Sequence, residues 1–264
     1  MQVRPTKLAV AAMILGAFHA LAQNTDATPI QRMAADAHPS FAVATIKPHD
    51  PNSAHQGFDA KGERVTARDQ SVASMMMFAY GIHPSQIVGA PDWVFHERYD
   101  VEGKTDTPGE PSLRQQQDML QKLLADRFGL HFRREKRELP IYAIQIAKGG
   151  TKLTPAAKPD AEPDQDGSGH GTEADLGFTN FSMPDLAMGL QFFVHDRPIL
   201  DRTGLTGHYD FKLRYTYDEA NATDPNAPPG LFTAIQEQLG LKLDPLKAPA
   251  DVLVIDHVEQ PSAN

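Results

Sequence analysis

The chain has 264 residues, no cysteine and a formal net charge of −9. An acidic protein gains nothing from the counterion release that drives nucleic-acid binding, and anionic lipid repels it, so neither is expected as a partner. Without cysteine there is no disulfide, no thiolate nucleophile and no thiolate metal ligand, so stability must come from core burial, for which this length is ample.

The first expected element is a secretory signal peptide over residues 1–22. Arg4 and Lys7 form a basic start, residues 8–21 (LAVAAMILGAFHAL) are apolar except for His19, and Ala20-Leu21-Ala22 supplies the small-x-small pattern for cleavage before Gln23. The apolar run falls short of the about 20 residues that span a bilayer. No cysteine follows it, so no lipid is attached there, and no later segment is long and apolar enough to span. The expected location is therefore periplasmic or secreted, with no stable membrane anchor after cleavage.

Residues 23–40 lack any sustained period and read as a flexible leader. A first α+β half is expected over residues 41–148. It starts with a β-rich run at Phe41 (FAVATIKP) and, after a loop, a strand at residues 64–67. A helix capped at Asp69 or Ser71 follows and ends at Gly81, with Val72, Met75, Met76 and Ala79 at core spacing. A short strand at residues 86–88, a turn around Trp93 and a strand at residues 98–103 come next. Ser112-x-x-Gln115 is a capping box opening a helix whose stripe is Leu113, Leu120, Leu123, Leu124 and Phe128, stopped by Gly129. Two strands, residues 130–134 and 140–147, are expected to form a hairpin with the charged run 133–138 (RREKRE) at its exposed end.

Residues 149–175 are rich in Gly, Pro and acids and read as a linker. The second α+β half, residues 176–264, repeats the pattern. It runs strand 177–181, helix 186–194 behind a Ser182-x-x-Asp185 cap, short strand 198–200 and strand 209–217. A loop, a helix over residues 231–239 ended by Gly240, and strands 241–243 and 251–258 complete it.

The halves align at a shift of 111 residues: Leu120, Leu124, Phe128-Gly129-Leu130, Phe132 and Ile144 meet Leu231, Ile235, Leu239-Gly240-Leu241, Leu243 and Ile255 without a gap. Arg98-Tyr99-Asp100-Val101 falls near His208-Tyr209-Asp210-Phe211. The expected fold is thus α+β: two duplicated halves, each an antiparallel sheet with helices packed on one face.

No phosphate-binding glycine loop, H-E-x-x-H helix or G-x-S-x-G elbow is present; His96-Glu97 lacks a second histidine, and Ser168 has Asp166 where the elbow has its first glycine. His49, His55, His83, His131, His195 and His257 are scattered and read as surface or satisfied core residues. Trp93 and Tyr99 could stack on a ligand but read as core-edge residues, and Asp201-Arg202-Thr203-Gly204 as a self-bonded turn. Glu162, Asp164, Asp166, Gly167 and Glu173 occupy positions 1, 3, 5, 6 and 12 of a calcium-loop spacing. Position 1 is Glu, Gly169 replaces an apolar residue and no helices flank it, so no metal site is assigned. No catalytic residue and no cofactor is nominated.

Together the stretches FAVATIKP (41–48), IVGAPDW (87–93), RYDVEG (98–103), LQKLLADRFGLHFRR (120–134), LPIYAIQIAKGG (139–150), LDRTGLTGHYDF (200–211) and residues 231–261 resemble the uncharacterised "soil-associated" protein family of soil bacteria, over nearly all the mature chain. That family has no established activity, so the resemblance carries over no functional residue. Similar domains fused behind sensor-type membrane metallopeptidases imply an extracytoplasmic sensing or interaction role. By element order alone, the units also look like the small N-terminal domains of secretins and TonB-dependent receptors.

The expected function is a non-enzymatic extracytoplasmic module binding an envelope or extracellular protein or a small ligand. The alternative is a cell-envelope hydrolase whose acid–base pair meets across a cleft between the halves.

Overall fold

The computed structural model describes residues 31–53, 56–170, 173–216 and 227–261. The expected signal peptide lies outside them. The fold is mixed α+β, with three sheets rich in antiparallel pairing and five α-helices among the described residues.

The first half of the chain supplies β1 (Phe41–Pro48), β2 (Gly57–Lys61), β3 (Arg64–Gln70), α1 (Val72–Tyr80), β4 (Ile87–Val88), α2 (Trp93–His96), β5 (Tyr99–Thr105), α3 (Leu113–Phe128) and β6 (His131–Ile146). The rest supplies β7 (Thr154–Pro155), β8 (Asp164–His170), β9 (Glu173–Phe181), α4 (Met183–Leu190), β10 (Ile199–Asp201), β11 (Tyr209–Thr216), α5 (Leu231–Ala234) and β12 (Leu241–His257). One sheet has the order β1-β5-β3-β2 and another β7-β11-β9-β8; between them lies β10-β6-β12-β4.

Local chemistry sets the helix ends. Ser71, Ser112 and Ser182 sit in extended backbone and accept the N–H three residues on, which satisfies an otherwise orphaned donor. Gly81, Gly129 and Gly240 end helical segments in the left-handed conformation. The last of these follows a π-helical turn (Ile235–Leu239) that continues α5.

α1 and α3 pack on the first sheet through a core that includes the fully buried Met75, Met76, Leu124 and Phe128. Each large side chain removed from water there contributes about 1.5–3 kcal/mol. A second core gathers Phe181, Met183, Leu186 and Tyr215. A small third one, Ile141, Ala143, Ala248 and Ala250, lies on the central ladder.

The charged run 133–138 is not a hairpin end. β6 is one continuous strand paired along its length with β12, from Leu241↔Ile146 to His257↔His131. Prolines that would ordinarily interrupt a strand are accommodated by parity. Pro140, Pro245 and Pro249 occupy the same alternate pairs of the ladder as Tyr142, whose N–H points away from β12 and donates to Pro198. A missing N–H at those positions costs no ladder bond. The charges of the run are neutralised across and along the strands: Arg133 pairs with Asp256, Lys136 with Asp251 and Arg137 with Glu135.

The stretch 149–175 is not a bare linker. It carries β7 and β8, and β8 pairs with β9 from Asp164↔Thr179 to His170↔Glu173. Nor are residues 31–37 of the leader without partners. Arg32 bridges Glu110, Met33 is buried, and the Gln115 side-chain amide donates to the carbonyls of Ala34 and Ala37 at 2.8 and 3.2 Å.

Candidate functional site

A cleft of about 440 Å³ opens where β2, the start of α3, the leader and the segment entering β8 meet. Each wall has a local cause. β2 and β3 are joined by the two-residue turn Gly62-Glu63, with Lys61 opposite Arg64 and Gly62 at φ 59°. In such a hairpin the residues flanking the turn exchange both hydrogen bonds, and the pattern alternates along the strand. Lys61, Asp59 and Gly57 therefore bond to β3, while the backbone N–H and C=O of Phe58 and Ala60 point out of the sheet. β2 is the sheet's edge strand, so those groups face the cleft.

Glu110 braces the floor and is only 7% exposed. One carboxylate oxygen accepts from Arg32 at 3.0 Å and the other from the Gly62 N–H at 2.9 Å. Phe58 stacks on Phe78 with ring centroids 4.2 Å apart, giving the cleft an apolar side. Asp59, Glu162 and Asp164 are exposed around it, and Arg32 lies 3.8 Å from Asp164. One arginine thus faces four carboxylates, and no histidine lines the cleft. Both Glu110 oxygens are thus engaged, and the remaining carboxylates give the cleft a charge that suits a cationic group.

A second cluster lies at the end of the first sheet. His49 Nδ1 is 2.7 Å from Asp100, its Nε2 is 3.9 Å from Asp69, and the Asp69 N–H donates to Asp100 at 3.0 Å. Burial pushes the Asp100 carboxyl up, but the bonds from Asp69 and His49 outweigh it and hold it below the usual carboxylate range. Asp69 has φ 53°, and its bond to Asp100 holds the bend leading into the Ser71 cap. The same bend recurs before Ser182: Asn180 has φ 58° and its N–H donates to Asp210 at 2.8 Å, with Ala157 N–H as the second donor at 3.0 Å. Both ring nitrogens of His49 face carboxylates, so the cluster is a brace for a turn.

His83 is buried; its Nδ1 accepts the Ser85 N–H, capping a 3-10 turn (Pro84–Gln86), and burial lowers its pKa. His131 and His257 are cross-strand neighbours at the ladder's end, with ring centroids 6.3 Å apart. His195 is exposed, on the rim of a groove of about 520 Å³ lined by Tyr142, Phe193 and Phe232. His55 lies outside the described residues. Trp93 packs against the first core, and the Tyr99 hydroxyl donates to Glu97 at 2.7 Å, its pKa raised chiefly by burial. Asp201 accepts from both the N–H and the hydroxyl of Thr203, fixing the expected turn.

The calcium spacing is drawn out along the β8–β9 hairpin instead of closing into a loop. Glu173 pairs with Arg214 and Asp164 with Arg32. At about 3.3 Å rise per residue a strand cannot gather such carboxylates around one ion. Among the described residues no group of three or more His, Asp or Glu could hold a metal, and no helix is long and apolar enough to cross a membrane.

The sequence reading missed β2 and the cleft. The signal for β2 was present in the Lys61-Gly62-Glu63-Arg64 turn. Glu110, just before the capping box, carried no motif.

Neither the curated proteins nor the solved structures provide a match. The model of a family described as a protein of unknown function, DUF3738, matches residues 73–258. That span covers most of the chain, with β5 of the first sheet, the whole central ladder and the whole sheet β7-β11-β9-β8, and the protein therefore belongs to the DUF3738 family.

Proposed function

We propose that this protein is an exported, non-enzymatic binding module that works outside the cytoplasm. The observation that carries the reading is the edge of β2 opening into a cleft whose buried carboxylate is tied on both oxygens. Such an edge is a template for a partner. The export reading rests on residues 1–22, and a soil-bacterial setting on the family resemblance.

The binding scaffold is read as two halves that arose by duplication. The sheet orders β1-β5-β3-β2 and β7-β11-β9-β8 support this term by term. So do the matched bends at Asp69 and Asn180, and the exchange of short strands. β4 of the first half lies parallel to β12 with Ile87 opposite Leu253; β10 of the second lies parallel to β6 with Ile199 opposite Tyr142. In this reading residues 41–148 and 176–264 are the two halves, and β7 and β8 belong with the second.

The test has two arms. Purified protein secreted from the native host should have Gln23 at its N-terminus, with turnover absent against ester, peptide and glycoside substrates. Full-length protein in the cytoplasm, or turnover abolished by a point substitution that leaves the fold intact, overturns the reading.

A further inference from the structure

We propose that the β2 cleft binds an extended, cationic peptide segment of a partner protein, which adds as a strand to the edge of β2. This rests on the binding-module reading and names the partner chemistry.

Other sheet edges offer less. β4 and β10 have two and three residues. On β1 the Ala44 carbonyl is taken by Arg127 at 3.2 Å. On β8 the Gln165 N–H is donated to the carboxylate of Asp164 at 3.1 Å. On β2 the outward groups of Phe58 and Ala60 meet a cleft of about 440 Å³. Strand addition uses these main-chain groups for affinity and the alternating side chains for specificity.

The cleft favours one charge. Asp59, Glu162 and Asp164 stand around it, and Arg32 is already engaged by Glu110. A segment alternating Lys or Arg with apolar residues would place cations against these carboxylates and apolar groups against Phe58 and Phe78. An acidic segment would be repelled.

The probe is a fluorescein-labelled, alternating Lys-Val octapeptide, with a Glu-Val octapeptide as control, followed by fluorescence anisotropy on the chain beginning at Gln23. Saturable binding of the Lys-Val peptide alone is expected. Ala60→Pro removes an outward N–H that makes no bond to β3, so the fold should persist while affinity drops about tenfold or more. The double variant Asp59→Lys/Glu162→Lys should lose a similar factor, and it tests the site even if Ala60→Pro fails to fold. Phe232→Ala, in the aromatic groove that shares no lining residue with the cleft, should bind as the parent does.

Equal binding of the two peptides, no binding of either, or affinity unmoved by the charge-reversing double variant overturns the proposal. A native partner retained by both cleft variants would also overturn it, while leaving the binding-module reading standing.

Discussion

Substituting Asp100 by alanine tests whether the Tyr-Asp motif shared by both parts of the chain holds the fold. Asp100 is 5% exposed and accepts the Asp69 N–H at 3.0 Å and His49 Nδ1 at 2.7 Å. Alanine leaves both donors in place with no acceptor. Each orphaned donor costs about 1–3 kcal/mol, and His49 is nearly fully buried, so a loss of about 3 kcal/mol is expected. For a chain of this size that lowers Tm by roughly 6–12 °C. Asp100→Asn keeps an acceptor for Asp69 and loses only the charge-assisted bond, so it should cost about half as much.

Urea unfolding followed by circular dichroism measures both. The pH dependence adds a check of sign. The folded carboxyl is held below its ordinary value of 3.8, so its charge stabilises the fold above that pH, and the benefit disappears as pH falls through the folded value. The gap between parent and Asp100→Asn should narrow below about pH 4. A loss under about 1 kcal/mol for Asp100→Ala would refute the bracing role.

Further outcomes follow from the same geometry. Asp210→Ala should also destabilise, by about 2 kcal/mol, because it orphans the N–H groups of Asn180 and Ala157. Lys247→Pro, in the ladder positions already used by Pro245 and Pro249, should cost less than about 1 kcal/mol. Leu246→Pro breaks a bond to β6 and should cost about 2 kcal/mol or more, as read by urea unfolding. Burial lowers the pKa of His83 below its ordinary 6.5, so the unfolded chain takes up that proton first as pH falls. The parent's stability advantage over His83→Ala should therefore shrink between about pH 7 and 5 in thermal melts. Millimolar calcium should leave Tm unchanged, since the acidic run forms a strand; a calcium-dependent rise would contradict the hairpin.

What could be read from the sequence was local. Ser71 and Gly81, Ser112 and Gly129, and Ser182 declared their helix ends because a cap needs only the few residues around it. The apolar stripe of α3 declared its buried face for the same reason. The long strands were hidden because Pro140, Pro245, Pro249 and the charged run oppose β-structure taken alone. Only the pairing of β6 with β12 shows that each proline nitrogen points outward and that the charges are matched. β8 was masked similarly by glycine and acidic residues that resemble a linker until β9 lies beside them. The cleft was invisible because Arg32, Phe58, Glu110 and Asp164 come from four segments with no common spacing, brought together by packing rather than by any motif.

Backbone hydrogen exchange at Phe58 and Ala60 reads strand addition at the β2 edge. With the Lys-Val octapeptide bound, these two outward amides of β2 should gain protection, while amides around Phe193 and Phe232 should not change. Protection confined to the aromatic groove, or unchanged exchange at β2 with the peptide bound, would contradict it.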